Sequence, residues 1–260
     1  MDLKDLKAFL DYKANAYEKI QFLEQDPISI PHKFNKKEDI EISAFLVATI
    51  SWGNRISIIK SGERMIQLLG DDPYNFIMSH SDKELNQLSS FVHRTFNGTD
   101  FIFFIKALKH IYKNHGGLEY AFSNKPEAKR MNENISYFKK IFFELPHNKR
   151  TQKHVSDPFK GSAAKRLNMY LRWMVRSSKS NVDFGIWKRL SPSQLSCPLD
   201  VHSGKIARYL GLLKRKQNDQ NAVLELDIKL RDFDPIDPVK YDFALFGLGV
   251  YEKFNLTHLK

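Results

Sequence analysis

The chain is predicted to be all-α, on three observations. Apolar residues recur at three- and four-residue spacing along most of the 260 residues. No β-alternation of useful length appears. Glycine and proline breaks separate the periodic segments: Gly53-Asn54, Gly70 with Pro73, Gly116-Gly117 and Pro146.

The elements follow in order. Phe9, Tyr12, Ala16 and Ile20 fit one face of a first helix. PISIPHKFNKKED, with two prolines and a polar run, is a loop. Asp39 or Ser43 starts the next helix, and EISAFLVATISW is apolar all round, so this helix is expected to be central and buried. Ile56, Ile59, Met65, Ile66 and Leu69 mark another, ended by Gly70 and Pro73. Phe101 to Tyr112 and Asn132 to Phe143 follow, the second stopped by Pro146. After the polar loop PHNKRTQKHVSDPFKG, a helix runs from about Ser162 to Arg176. Its stripe is Leu167, Tyr170, Leu171, Met174 and Val175, and Lys165, Arg172 and Arg176 share another face. Pro192 and Pro198 bracket a short link, and Asp200 takes the N-cap place before VHSGKIARYLGL. Leu224 to Phe233 and Tyr241 to Val250 complete the set. There is no internal repeat and no low-complexity tract.

Composition narrows the function classes. A hydrophobic content of 42% with twenty Phe supports a substantial core, in one large domain or two lobes. No run reaches the roughly 18 to 20 apolar residues of a membrane span. The first twenty residues lack the pattern of a secretory signal, so a cytoplasmic location is expected. The single cysteine, Cys197, allows no internal disulfide, no cysteine-ligated iron–sulfur cluster and no thiolate zinc site, and is read as a packed residue. His202 and His258 have no partner at metal-ligand spacing, and neither HxxxH nor CxxC occurs, so no metal site is expected. Neither a Walker A pattern nor GxGxxG is present, and no cofactor is expected. The oligomeric state is left open.

Charge is distributed unevenly. From Arg150 to Lys216 there are fifteen Lys and Arg against three acids, so this stretch carries the whole net charge of +11. Such clustering suits a polyanion, because Lys and Arg along a phosphate backbone release counterions. A basic surface with no ligand is the plainer alternative.

Three groups of residues are candidates for chemistry. Lys165 lies near a helix N-terminus beside Arg166, and a lysine amine is a nucleophile toward an aldehyde-like carbon such as a damaged nucleotide's C1′. On the residues alone, the plainer reading is a phosphate contact. Asp200, isolated among bases, suits stabilisation of an oxocarbenium ion or activation of a nucleophile, and also a plain N-cap. Asn54 and Arg55, at the end of the buried helix, suit a wedge filling the gap left by an extruded base; the alternative is a helix C-cap with Gly53 left-handed. Trp52, Trp173 and Trp187 are read as core.

The order of a basic helix with an early Lys165, then PLDVHSGKIARYLGL, resembles the helix-hairpin-helix DNA glycosylase superfamily, which includes endonuclease III and the 8-oxoguanine glycosylases. Asp200-Val201-His202 matches the family's D-T-H with Val for Thr, and Arg208-Tyr209-Leu210 its distal R-x-L. SAFLVATISWGN is similar to the segment that ends in the family's base-replacing glutamine, which places Asn54 there, and DFALFGLG resembles its closing helix. The family's L-P-G-V-G hairpin corresponds to Pro158–Ala164 here, with one glycine, Gly161. The chain is also similar to an uncharacterised conserved bacterial family of this length.

The resemblance implies a two-lobed helical bundle, with a six-helix lobe over 38–180 and a second lobe from 1–37 plus 181–260. It implies Lys165 and Asp200 as catalytic residues at a cleft and double-stranded, damaged DNA as the partner. Asn54, Arg55, Lys160, Gly161, Ser162, Arg166, Arg172, Arg176, His202 and Lys205 would form the DNA face. The expected activity is that of an N-glycosylase, with or without lysine-dependent lyase chemistry; a non-catalytic nucleic-acid-binding protein on the same scaffold is the alternative.

Overall fold

The computed structural model describes residues 2–19, 26–177 and 180–252. The described chain is all-α apart from one two-stranded hairpin. It divides into two compact units. One comprises Met1–Phe22, Glu127–Asn132 and Asp157–Lys260, the other Leu23–Pro126 and Glu133–Ser156. Relative to the expected lobes, the segment from Asp157 onward groups with the C-terminal helices, and the loop before residue 38 groups with the central ones.

The unit spanning Leu23–Pro126 and Glu133–Ser156 is built around α2 (Lys37–Ile50), whose residues from Asp39 to Ile50 are all buried. The helix begins at Lys37, ahead of the expected Asp39, because Asp39 points across to accept the Tyr74 N–H (2.8 Å) instead of capping its own helix. The chain then turns at Gly53, whose φ of +103° favours glycine. Asn54 accepts the Ser57 N–H (3.2 Å) and caps α3 (Arg55–Leu68). Two short helices follow, α4 (Pro73–Ser79) and α5 (Asp82–Gln87). The hairpin pairs β1 (Val92–His93) with β2 (Phe96–Asn97). Two residues per strand leave no alternation to read in the sequence.

The core of this unit is aromatic. Phe45 of α2 meets Phe104 of α6 (Gly98–Asn114) and Phe138 and Phe142 of α8 (Asn132–Phe142), at centroid distances of 5.9, 5.5 and 5.5 Å. Phe122, at the end of α7 (Leu118–Phe122), stacks on Phe138 at 3.8 Å. Edge-to-face and offset pairs of this kind add about 0.5–1.5 kcal/mol each beyond area burial. Asp100 in the first turn of α6 is fully buried. It accepts from Thr151 (2.7 Å), Arg150 (2.7 Å) and the Asn97 N–H (3.1 Å). Burial pushes its carboxyl up, but these donors outweigh it and hold the carboxyl below its ordinary value.

The other unit packs α1 (Leu3–Tyr17) and α10 (Val201–Tyr209) against α12 (Tyr241–Val250). The buried face of α1 is Leu6, Leu10 and Ala14, with Phe9 at its edge. The expected Phe9–Tyr12–Ala16 face is not the one used: Tyr12 is 68% exposed, and Ile20 lies outside the described residues. Both stripes have helical period, and contact with α12 selects between them. A Cβ on Gly247 would strike the Tyr17 ring, so glycine there lets α1 lie close on α12. Two further helices complete this unit, α9 (Lys165–Val175) and α11 (Gln220–Phe233).

Candidate active site

Lys165 is the first residue of α9, which starts three residues later than expected because the entry is a sequence of tight turns. Pro158–Lys160 forms a 3₁₀ turn capped by Asp157, and Gly161 follows at a φ of +82°. Ser162 then bridges to Asp219, and the Gln220 N–H donates to Gly161 O (3.1 Å), tying the entry to the start of α11. Ala164 takes the N-cap place at a φ of +46° with no side chain to accept the helix N–H groups. A left-handed residue with a Cβ costs roughly 1–2 kcal/mol. The α-helix preceding this entry is α8, and the intervening chain is 3₁₀ and coil. Lys165 is half-buried, and its amine contacts Met169 Sδ (3.7 Å). Among the described residues it forms no ion pair.

Asp200 caps α10, as its sequence position predicts. Its Oδ1 accepts the N–H groups of His202 (2.8 Å) and Ser203 (2.9 Å), and Ser203 Oγ accepts the Asp200 N–H (2.9 Å). This reciprocal pair is a capping box. All three side-chain bonds run to Oδ1. Among the described residues, Oδ2 takes part in none.

The residue that relates these two helix ends is Asp242, in the first turn of α12. Its buried carboxylate accepts from Arg172 Nη1 and contacts Cys197 Sγ (3.7 Å). Burial, helped by the Asp200 charge and opposed by Arg172 and Lys165, raises its carboxyl to about 6. Lys165 and Asp200 stand at the N-termini of two helices of the same unit. The Asp242 position was legible only as a lone acid opening the apolar run DFALFGLG. The Cys197 thiol is fully buried, and burial pushes it well up, which makes it a packed, unreactive group.

Two expected members of the DNA face are corrected. Arg172 and Arg176 are each only 4% exposed. Arg172 pairs with Asp242 and Asp183 (3.2 Å), and its guanidinium lies over the Phe243 ring (4.3 Å). Arg176 pairs with Glu18 (2.6 Å), Asp183 (3.2 Å) and Asp237 (2.8 Å), which raise its proton affinity against burial. Their face of α9 turns inward onto acids from elsewhere in the chain. Charged guanidinium groups cannot be buried without such partners.

The same re-pairing reduces the basic stretch more widely. Arg150 is taken by Asp100, and Arg215 by Asp219. Lys160, Lys188, Arg189, Lys205, Lys214 and Lys216 remain exposed in the unit of α9 and α10. Gly161 and His202 are also exposed. Ser162 is half-buried, with its hydroxyl accepting the Ala164 N–H (3.2 Å). Arg166 is half-buried, and burial lowers its guanidinium to about 10.

Asn54 and Arg55 belong to the other unit, Asn54 exposed and Arg55 half-buried. The Arg94 side chain occupies the space a Cβ on Gly53 would need, and His93 meets Trp52 edge-on at 5.3 Å. The hairpin therefore braces the turn that presents Asn54. Trp173 and Trp187 are buried in the core, while Trp52 is half-buried. That unit also holds a cluster the sequence reading missed, His110, His115 and Glu144, whose ligand atoms all lie within 4.8 Å of one another. The two histidines are five apart and the glutamate is distant in sequence, so no short motif announces them. No described helix is long and apolar enough to cross a membrane.

Residues 26–251 match the model of a family described as protein of unknown function (DUF2400), and the chain belongs to that family. No curated protein and no solved structure matches the chain.

Proposed function

We propose that this protein binds duplex DNA and excises a damaged base, with Lys165 as nucleophile and Asp200 as the charge-stabilising carboxylate. What supports the reading is placement: Lys165 opens α9 and Asp200 caps α10, two helices of the same compact unit. Among the described residues, the Lys165 amine forms no ion pair and Asp200 Oδ2 accepts no hydrogen bond. In the reaction, the deprotonated amine bonds to C1′ and the glycosidic C–N bond breaks, its electrons leaving with the base. The base takes up a proton from solvent; the nitrogen lone pair then opens the C1′–O4′ bond, O4′ takes the proton the amine gives up, and a C1′=N Schiff base remains for borohydride to reduce. Asp200 offsets the positive charge that develops on the sugar. The likeness to helix-hairpin-helix glycosylases belongs to this proposal, as do Asn54 as wedge and Lys160, Lys205 and His202 as phosphate contacts.

One observation favours a second reading, a non-catalytic nucleic-acid-binding protein. The turn into α9 keeps a single glycine and has a left-handed Ala164 where the family's hairpin amides would bind phosphate. Borohydride trapping separates the two. Wild type and Lys165→Ala are incubated with duplexes carrying an abasic site, 8-oxoguanine, an alkylated purine or an oxidised pyrimidine. A covalent band lost in Lys165→Ala supports lysine chemistry. Salt-sensitive binding with neither trapping nor base release supports the binding protein.

A further inference from the structure

We propose that His110, His115 and Glu144 form a binding site for a divalent transition-metal ion, with Zn²⁺ the best-fitting ion. The local chain explains the convergence. His110 lies near the C-terminus of α6, and His115 is its C-cap residue, where the helix ends with an N–H bond to Ile111 O (2.9 Å). Gly116 and Gly117, at φ of +71° and +93°, turn the chain away immediately afterwards. Glu144 follows α8 and reaches the same point.

The distances match a metal's requirements. His110 Nε2 and His115 Nε2 are 3.3 Å apart. Metal–nitrogen bonds of 2.0–2.1 Å at a tetrahedral angle separate two ligand atoms by about 3.3 Å. Glu144 Oε2 lies 2.8 Å from His110 Nε2 and 3.2 Å from His115 Nε2, so it needs only a small outward shift to complete the face.

With one Nε2 protonated and the other not, the three atoms share a proton; a cation at the same point would instead take both Nε2 lone pairs and the carboxylate oxygen together. Asn114 Nδ2 lies 2.8 Å from His110 Nδ1. Metal binding at Nε2 requires this amide to turn over, so that its oxygen accepts the Nδ1–H. Two imidazoles and a carboxylate suit Zn²⁺ and its neighbours rather than Mg²⁺ or Ca²⁺. The histidines are half-buried and Glu144 is exposed, so a fourth position stays open to water.

The test is titration of tag-free, full-length protein with Co²⁺, followed by visible absorption, then displacement with Zn²⁺. The expected result is one equivalent of Co²⁺ with the intense absorption of four-coordinate geometry. His115→Gln and Glu144→Gln should each weaken Co²⁺ binding at least about tenfold, and His80→Gln should leave it unchanged. Thermal unfolding of each metal-free variant checks the fold, and Glu144, at the surface, supplies a variant whose folding is not in question. Absence of saturable Co²⁺ binding by wild type, or equal binding by wild type and both ligand variants, overturns the site.

Discussion

Arg172, in the last turn of α9, donates to the carboxylate of Asp242 in the first turn of α12, and both side chains are buried. The bond joins the helix that begins with Lys165 to the carboxyl that feels Asp200. Arg172 is therefore a buried ion-pair residue rather than a surface contact. Arg172→Ala leaves Asp242 and Asp183 without their shared guanidinium. It is expected to cost about 3–5 kcal/mol, the range for breaking a buried pair on one side. Urea unfolding measures it; a loss below about 1 kcal/mol would show that the pair is not structural.

Asp242 also sets a pH dependence. Its native carboxyl is raised to about 6 by burial, above the ordinary value of 3.8. Between about pH 4 and 6 the native state holds a proton that the unfolded chain has released, so this group's contribution to stability falls as pH rises through that window. Below the window both states are protonated and the penalty is absent. The stability of wild type relative to Asp242→Asn should therefore decrease from pH 4 to 6, by on the order of 1–3 kcal/mol. A difference that stays flat or rises contradicts the assignment.

Asp200 has a cap role and a proposed chemical role, and two substitutions separate them. Asp200→Asn retains an oxygen for the His202 and Ser203 N–H groups and should stay within about 0.5 kcal/mol of wild type. Asp200→Ala loses the cap and should cost about 1 kcal/mol. If the carboxylate stabilises developing sugar charge, both variants lose base release alike despite their different stabilities. Activity that instead tracks stability assigns Asp200 to the cap alone.

The exposed lysines replace the buried arginines as the residues to test for DNA affinity. Lys160→Ala with Lys205→Ala should weaken binding to all duplex sequences and flatten the salt slope by about one to two units. Fluorescence anisotropy at several salt concentrations reads this directly. An unchanged slope removes both lysines from the interface.

The sequence by itself determined the all-α class, the burial of α2 and of the apolar stripe on α9, the cap at Asp200 and the packed state of Cys197. Each of these is a local property: a period of 3.6, a capping residue before a helix, one apolar thiol. Only tertiary structure decided which stripe of α1 is buried, because two periodic faces are equivalent until α12 selects one. It also decided the fate of the basic stretch. Arg150, Arg172, Arg176 and Arg215 cluster along the chain, yet each is neutralised by an acid brought to it by folding, most of them distant in sequence. The His110–His115–Glu144 cluster was hidden for the same reason. Charge and ligation depend on distance in space, and sequence spacing reports that distance only within a turn or two of helix.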